Sequence, residues 1–240
     1  MYAEFDQFSD AYEDLLKDPI LDQFAPSGRG FFNVRKLEIL NRFFRDRGLD
    51  NSRFSLLDVG CGKGDFLKLA ASSFRQLAGC DPSERMLAGV NPGTIDARLQ
   101  RSPTEIPFDS HTFDVLTAIC VFHHVSPDDR PMICAEMNRV LRQHGVMCLI
   151  EHNPFNPVTQ VIVRRTPVDA GAKLLTPALS KRLVCRAGFA VIAIRYFLYM
   201  PEAWFGKMGW LERLLSRFPL GGQYAIFCRK VVADDSTAPC

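Results

Sequence analysis

Three glycines, Gly60, Gly62 and Gly64, fall inside the stretch LLDVGCGKGDFLKLA, with Asp58 before them and Asp65 after. A strand-to-helix turn of this kind lets backbone approach a ligand closely, because no Cβ stands between them. A P-loop needs G-x-x-x-x-G-K-[ST]; here Lys63 is followed by Gly64, and no Ser or Thr is placed to hold Mg²⁺. A dinucleotide fingerprint, G-x-G-x-x-G, accepts Gly60 and Gly62 but meets Asp65 where its third glycine belongs. That acid sits at a helix N-terminus, where it would repel a pyrophosphate. Asp58 deepens the negative potential. The loop suits a positively charged ligand that has no phosphate.

The elements around the loop alternate. RFSLLDVG reads as a buried strand ending at Gly60, and GDFLKLAASSF places Phe66, Leu67, Ala70, Ala71 and Phe74 at helical spacing. QLAGCD is a second strand, SERMLAGV a short helix capped by Ser83, and TIDARLQ a third strand. FDVLTAICVF is apolar on both faces, as a central parallel strand should be. Residues 127–143 predict a helix with acids early and bases late, and GVMCLIEH a fifth strand. After an interruption, TPALSKRLVCRAGF has Thr176 as N-cap, Pro177 in the first turn and Gly188 as the stop. FAVIAIRYF and QYAIFCRK are the last strands, separated by a second interruption. This rhythm means an α/β, doubly wound sheet. Ligands of such sheets bind outside the carboxyl ends of the strands, where the glycine loop lies.

The 240 residues, 47% hydrophobic, suffice for one domain core. With 23% charged residues and a net charge of +2, dispersed along the chain, nothing favours nucleic acid as a partner. The first residues, MYAEFDQFSD, lack the features of a secretory signal, and no long uncharged apolar run predicts a membrane span. A cytoplasmic, reducing setting is expected. The eight cysteines are scattered without a C-x-x-C pair, so neither a metal site nor a disulfide framework is expected.

LLDVGCGKG resembles the glycine-rich motif of class I S-adenosylmethionine-dependent methyltransferases of the small-molecule type. EIPFDSHTFDV, VFHHV and NRVLRQHGVMCLIE are similar to the family's later segments, and FDQFSDAYEDLL to its N-terminal lid helix. The resemblance implies a Rossmann-like sheet of seven mostly parallel strands in the order 3-2-1-4-5-7-6. It implies S-adenosylmethionine as cofactor and S-adenosylhomocysteine as product. Asp58 would lie near the methionine ammonium, and Asp81, at the end of the second strand, would accept the ribose hydroxyls. Gly60, Cys61, Gly62, Gly64, Pro82, Ser102, Thr104 and Cys120 complete the cofactor set. One departure stands out: where the family has an acid and a backbone N–H for adenine, this chain has Ser102 and Pro103, and proline has no N–H. Adenine must then be read by the Ser102 hydroxyl, by Thr104 or by a shifted loop.

His123 and His124 follow the fourth strand, on the rim where an acceptor meets the methyl group, and Glu151 and His152 close the fifth strand on the same rim. Histidine is suited to take a proton near pH 7, so His124 and His152 are the base candidates, with Glu151 beside them. Tyr12, Arg29, Arg35 and His123 are candidates for the lid and the acceptor side. The expected organisation is a single domain over residues 1–230, with a helical lid at 1–50, a cofactor core at 51–152, acceptor-side insertions at 153–178 and 198–222, and a frayed tail at 231–240. Trp204, Phe205, Trp210, Leu211, Leu214 and Leu215 would line an apolar acceptor pocket, touch a membrane surface or pack on the sheet. The expected reaction moves a methyl group to a small molecule, saccharide or lipid-linked, on oxygen by preference, from a monomer or homodimer. RNA or protein acceptors, and a non-catalytic binding module, remain the alternatives.

Overall fold

The computed structural model describes residues 15, 18–91 and 93–231 of the chain. Tyr12 and most of the expected tail lie outside the described residues. Seven strands form one sheet: β1 (Ser55–Val59), β2 (Gln76–Asp81), β3 (Asp96–Leu99), β4 (Phe113–Ile119), β5 (Leu141–His152), β6 (Phe189–Phe197) and β7 (Gln223–Lys230). Their order is β3-β2-β1-β4-β5-β7-β6, the order implied by the resemblance. The strands β1 to β5 run parallel, and β7 is antiparallel to both its neighbours.

Alternation along the central strands splits the core in two. Leu56 joins Phe31, Leu40, Phe44 and Phe227 on one face; Leu57 joins Phe122, Met137, Leu149 and Tyr224 on the other. A strand buried on both faces is mainly apolar, which is why β1 and β4 are rich in Leu, Val, Ile and Ala, with Asp58 and Thr117 buried among them.

The helices are α1 (Pro19–Phe24), α2 (Arg29–Arg45), α3 (Asp65–Ala70), α4 (Glu84–Leu87), α5 (Arg130–Val140), α6 (Pro157–Arg165), α7 (Pro177–Arg186) and α8 (Glu202–Leu215). Predicted caps hold: Ser83 Oγ accepts from Met86 N, and Thr176 Oγ1 from Leu179 N. The helix expected over 127–143 is shorter, and β5 begins at Leu141. There the chain leaves the helix to pair Leu141 with Phe113, crosses a register shift, and turns through His144 at φ 62°. The two insertions, without a clear pattern in sequence, contain α6, capped by Asn156 on Thr159 N, and α8. Six of the described cysteines, Cys61, Cys80, Cys120, Cys134, Cys148 and Cys228, are free thiols. No described helix is long and apolar enough to cross a membrane.

A buried ion pair clasps α2 to α8. Arg35, expected to face an anionic acceptor, is instead 2% exposed and donates to Glu212, with Glu38 as its second carboxylate. The ring of Phe205 lies 3.7 Å from its guanidinium carbon. The other oxygen of Glu212 accepts from Leu198 N and Tyr199 N, at 3.1 and 3.3 Å. Arg35 therefore joins α2 to α8. Removing one member of such a pair strands the other in the core. Glu212→Ala should lower stability by roughly 3–5 kcal/mol in urea unfolding. Glu38→Ala, at the exposed end of the cluster, should cost less than about 1 kcal/mol.

Candidate active site

The glycine loop leaves β1 and doubles back on β2. Gly60 N and Cys61 N both donate to Cys80 O, at 2.8 and 3.1 Å. Gly60 has φ 75°, and a Cβ there would strike Val121 Cγ2 at 2.5 Å, so backbone and neighbour together demand glycine. Gly62 differs: at φ 53° its Cβ would project into open space, a cradle with nothing of the described protein in it. Gly64, also left-handed, is the N-cap of α3. Cys61 Sγ packs against Gly79 of β2, where a Cβ would lie 2.6 Å from it.

Asp81 lies across from the cradle. One of its oxygens accepts from Gly62 N at 2.8 Å and the other from Ser83 N at 2.9 Å. Two cavities meet here, and Gly60, Asp81 and Cys120 line both. The first, about 250 Å³, is mainly apolar, with Val59, Pro82, Pro103, Val121 and Ile133 in its wall together with Gln100 and His124. The second, about 160 Å³, mixes charges: Arg29, Asn33 and Lys36 from α2 face Asp58, with Lys63 and Asp65 beside them.

Asp58 is buried and accepts from Thr117 Oγ1 at 2.7 Å. Burial pushes its carboxyl up to about 7, against the pull of the Thr117 hydroxyl and Lys36, and the charge on Asp81 adds to the rise. Ser102 and Thr104 turn toward each other: their hydroxyls lie 3.1 Å apart, and Thr104 N donates to Ser102 Oγ at 3.3 Å. Pro103 and Gln100 form the cavity wall instead. Gln100, Asn33 and Lys36 went unnoticed in the sequence. Gln100 had a signal, since it directly follows β3, at the same carboxyl edge that marks Asp81; its N–H donates to Asp81 O at 2.9 Å. Asn33 and Lys36 had none, because they stand on a helix remote in sequence.

The loop after β4 carries the histidines. Glu151 of β5 accepts from Val121 N at 3.1 Å and Phe122 N at 2.7 Å, and its second oxygen lies 2.6 Å from His123 Nδ1. Both of its oxygens are thus engaged by the loop that follows β4. His123 Nε2 and His124 Nε2 both lie 3.4 Å from Asp169 Oδ1, in the turn Pro167–Asp169 of the first insertion. Burial alone would lower the pKa of His123, but Glu151 and Asp169 outweigh it and raise it to about 10. Against its own burial, Asp169 is held well below the usual carboxylate range by His123 and His124. Burial lowers His124, and it takes His152 down to about 4 with the His123 charge adding to the effect. The cluster is thus an imidazolium clasped by two carboxylates, with two neutral imidazoles beside it. Three of its ligand atoms, on His123, His124 and Asp169, lie within 4.8 Å of one another. His124 faces the apolar cavity. His152 stands behind, its ring 5.1 Å from that of His123, and lines neither cavity.

Residues 57–149 match the model of a methyltransferase domain. Over these residues, from β1 into β5, the chain is similar to methyltransferase domains. An uncharacterized methyltransferase of Schizosaccharomyces pombe is 31% identical over 119 residues, 47% of this chain and 45% of that protein. The chain thus spans about half the length of this curated relative. A solved methyltransferase from Thermotoga maritima, described as a possible histamine N-methyltransferase, superposes with a TM-score of 0.67 at 15% identity, covering 96% of this chain and all of that one. Geranyl diphosphate C-methyltransferase from Streptomyces coelicolor, solved with Mg²⁺, geranyl diphosphate and S-adenosylhomocysteine, gives 0.59 at 16% identity, over 82% of this chain and 80% of that one. At these identities the two structures establish the fold.

The methyltransferase cofactor joins a flat adenine, a ribose diol and a zwitterionic amino acid bearing a sulfonium. The site fits such a molecule in kind: an apolar cavity, a buried acid at the junction, and a mixed-charge cavity whose floor is the open Gly62 cradle.

Without a ligand, ionised Asp58 weighs against folding. Its folded pKa lies above its unfolded value, so its ionised form costs stability fully above about pH 7 and not at all below about pH 4. Asp58→Asn should therefore stabilise the ligand-free protein by roughly 1–3 kcal/mol at pH 8 and by almost nothing at pH 4. Urea midpoints of both proteins across that range check this; a gain that does not vary with pH would contradict it.

Proposed function

We propose that this protein transfers the methyl group of S-adenosylmethionine to an oxygen of a small-molecule acceptor. The observation that carries this reading is the meeting of the two cavities at Asp81. The apolar cavity takes the adenine, with the Gln100 amide and the Pro103 wall in place of the acid and N–H found elsewhere in the family. Asp81 takes the ribose hydroxyls. In the mixed-charge cavity Asp58 faces the ammonium, and Lys36 and Arg29 face the carboxylate. The glycine backbone lies along the chain between them.

When bound, this cofactor supplies a methyl group already activated on a sulfonium. The protein's share is then largely positioning, and removal of the acceptor's proton where the acceptor is neutral. His124 faces the cavity and is neutral near pH 7, so it is the base in this reading. Glu151, through the backbone of Val121 and Phe122 and through His123, sets where His124 stands. A net charge of +2 without a basic stripe favours a small acceptor over RNA.

Calorimetric titration with S-adenosylmethionine and S-adenosylhomocysteine tests the first step. Both should bind, and no heat at about 1 mM, well above usual KM values, would sink the reading. Asp81→Ala should weaken binding by roughly 1–3 kcal/mol, or about 5- to 150-fold, with the fold intact by circular dichroism. In a screen of hydroxylated compounds with methyl-labelled cofactor, His124→Ala should lower kcat by about 10²- to 10⁴-fold. Full turnover in that variant would remove His124 as the base.

A further inference from the structure

Of the fifteen large apolar residues exposed on the described surface, nine lie in the two insertions, at 155–161 and 204–220. A stripe of this composition was open to packing on the sheet, but Trp204 and Trp210 are each 61% exposed, and Leu214, Phe218, Leu220 and Phe155 are similarly bare. The two segments form one surface. Asn156 Nδ2 donates to Leu220 O at 2.7 Å, and Asn153 Nδ2 donates to Pro219 O at 3.0 Å. A continuous apolar surface of this extent marks an interaction site.

The charges choose the occupant. Arg164, Lys207, Arg213 and Arg217 are exposed among these apolar residues. Of the acids in the same segments, Glu212 holds Arg35 and Asp169 meets His123 and His124 inside the protein, while Glu202 stays at the surface and accepts from Ser27 N and Oγ. What faces outward is therefore tryptophan, leucine and phenylalanine interleaved with more positive than negative charge: Arg164, Lys207, Arg213 and Arg217 against Glu202. That is the composition of a face that lies in the headgroup region of a bilayer, with the apolar side chains among the acyl chains and the cations on anionic headgroups. At 14 residues, α8 is too short to cross a membrane, and its inner face is committed to Arg35 and Phe31. We propose that α8 and the start of α6 dock this protein flat on a membrane surface that carries anionic lipid.

Both tryptophans of the chain lie on α8, so the emission of the intact protein reports on this face alone. On vesicles of phosphatidylcholine mixed with phosphatidylglycerol, the emission should shift to the blue and the protein should sediment with the vesicles. On phosphatidylcholine alone, binding should be at least about tenfold weaker. Lys207→Glu combined with Arg213→Glu should erase that preference. Leu214→Glu combined with Phe218→Glu keeps both reporters and should abolish sedimentation, with the circular dichroism spectrum and cofactor affinity unchanged. No shift and no sedimentation on anionic vesicles would overturn the proposal. So would a dimer in light scattering that the Leu214/Phe218 variant dissociates, because a second copy would then cover this face. The vesicle measurements need neither cofactor nor acceptor, so their failure is distinguishable from a failure of the methyl-transfer reading.

Discussion

The side chain of Glu151 has no exposed surface, yet it holds the loop after β4 by two backbone N–H groups and by His123. A buried carboxylate is costly unless its hydrogen bonds are complete, and these are complete only when residues 121–123 fold back over the end of β5. The bond from Cys120 N to Ile150 O, at 2.8 Å, continues the same closure into the sheet. Much of the site follows. The closed loop sets Val121 against Gly60, which excludes a side chain from the start of the glycine turn, and it turns His124 toward the apolar cavity.

The second constraint is electrostatic. Asp58 and Asp81 stand near the carboxyl ends of adjacent parallel strands and are both buried, and the charge on Asp81 raises the cost of ionising Asp58. Backbone donors serve Asp81 and a hydroxyl serves Asp58, and Lys36 is the cation that acts on Asp58 from α2. A cleft built this way holds strain that a cationic ligand relieves, and that relief strengthens binding in proportion to the cost of the empty site.

The helix α2 connects this cleft to the outer surface. Arg29, Asn33 and Lys36 recur at helical spacing and face the mixed-charge cavity, while Phe31 and Arg35 meet Phe205 and Glu212 of α8. One face of α2 thus forms the wall of the ligand site, and the other carries the helix whose apolar side looks outward. The placement of α8 is set by its inner residues, Phe205 and Glu212, and this leaves Trp204 and Trp210 bare.

Much of the fold was legible in the sequence because its signals are local. The apolar runs of β1 and β4, the caps at Ser83 and Thr176, and the glycines after Asp58 depend on near neighbours in the chain, so their types and spacing predict the sheet, its order through the family resemblance, and the carboxyl-edge loop. The end of α5 was misplaced because Leu141 answers to Phe113, a partner 28 positions away that periodicity does not register. The same limit governs the site. The sequence by itself determined which residues would stand on the rim, among them Asp58, Asp81, His124 and Glu151. Only the tertiary structure decided what each meets: Glu151 is used by backbone donors, Arg35 by Glu212, Ser102 by Thr104 and His124 by Asp169, while Gln100 and Lys36 stand in the cavity walls. Hydrogen-bond partners and burial belong to the packed molecule, and a residue's chemistry is what remains after the fold has taken its share.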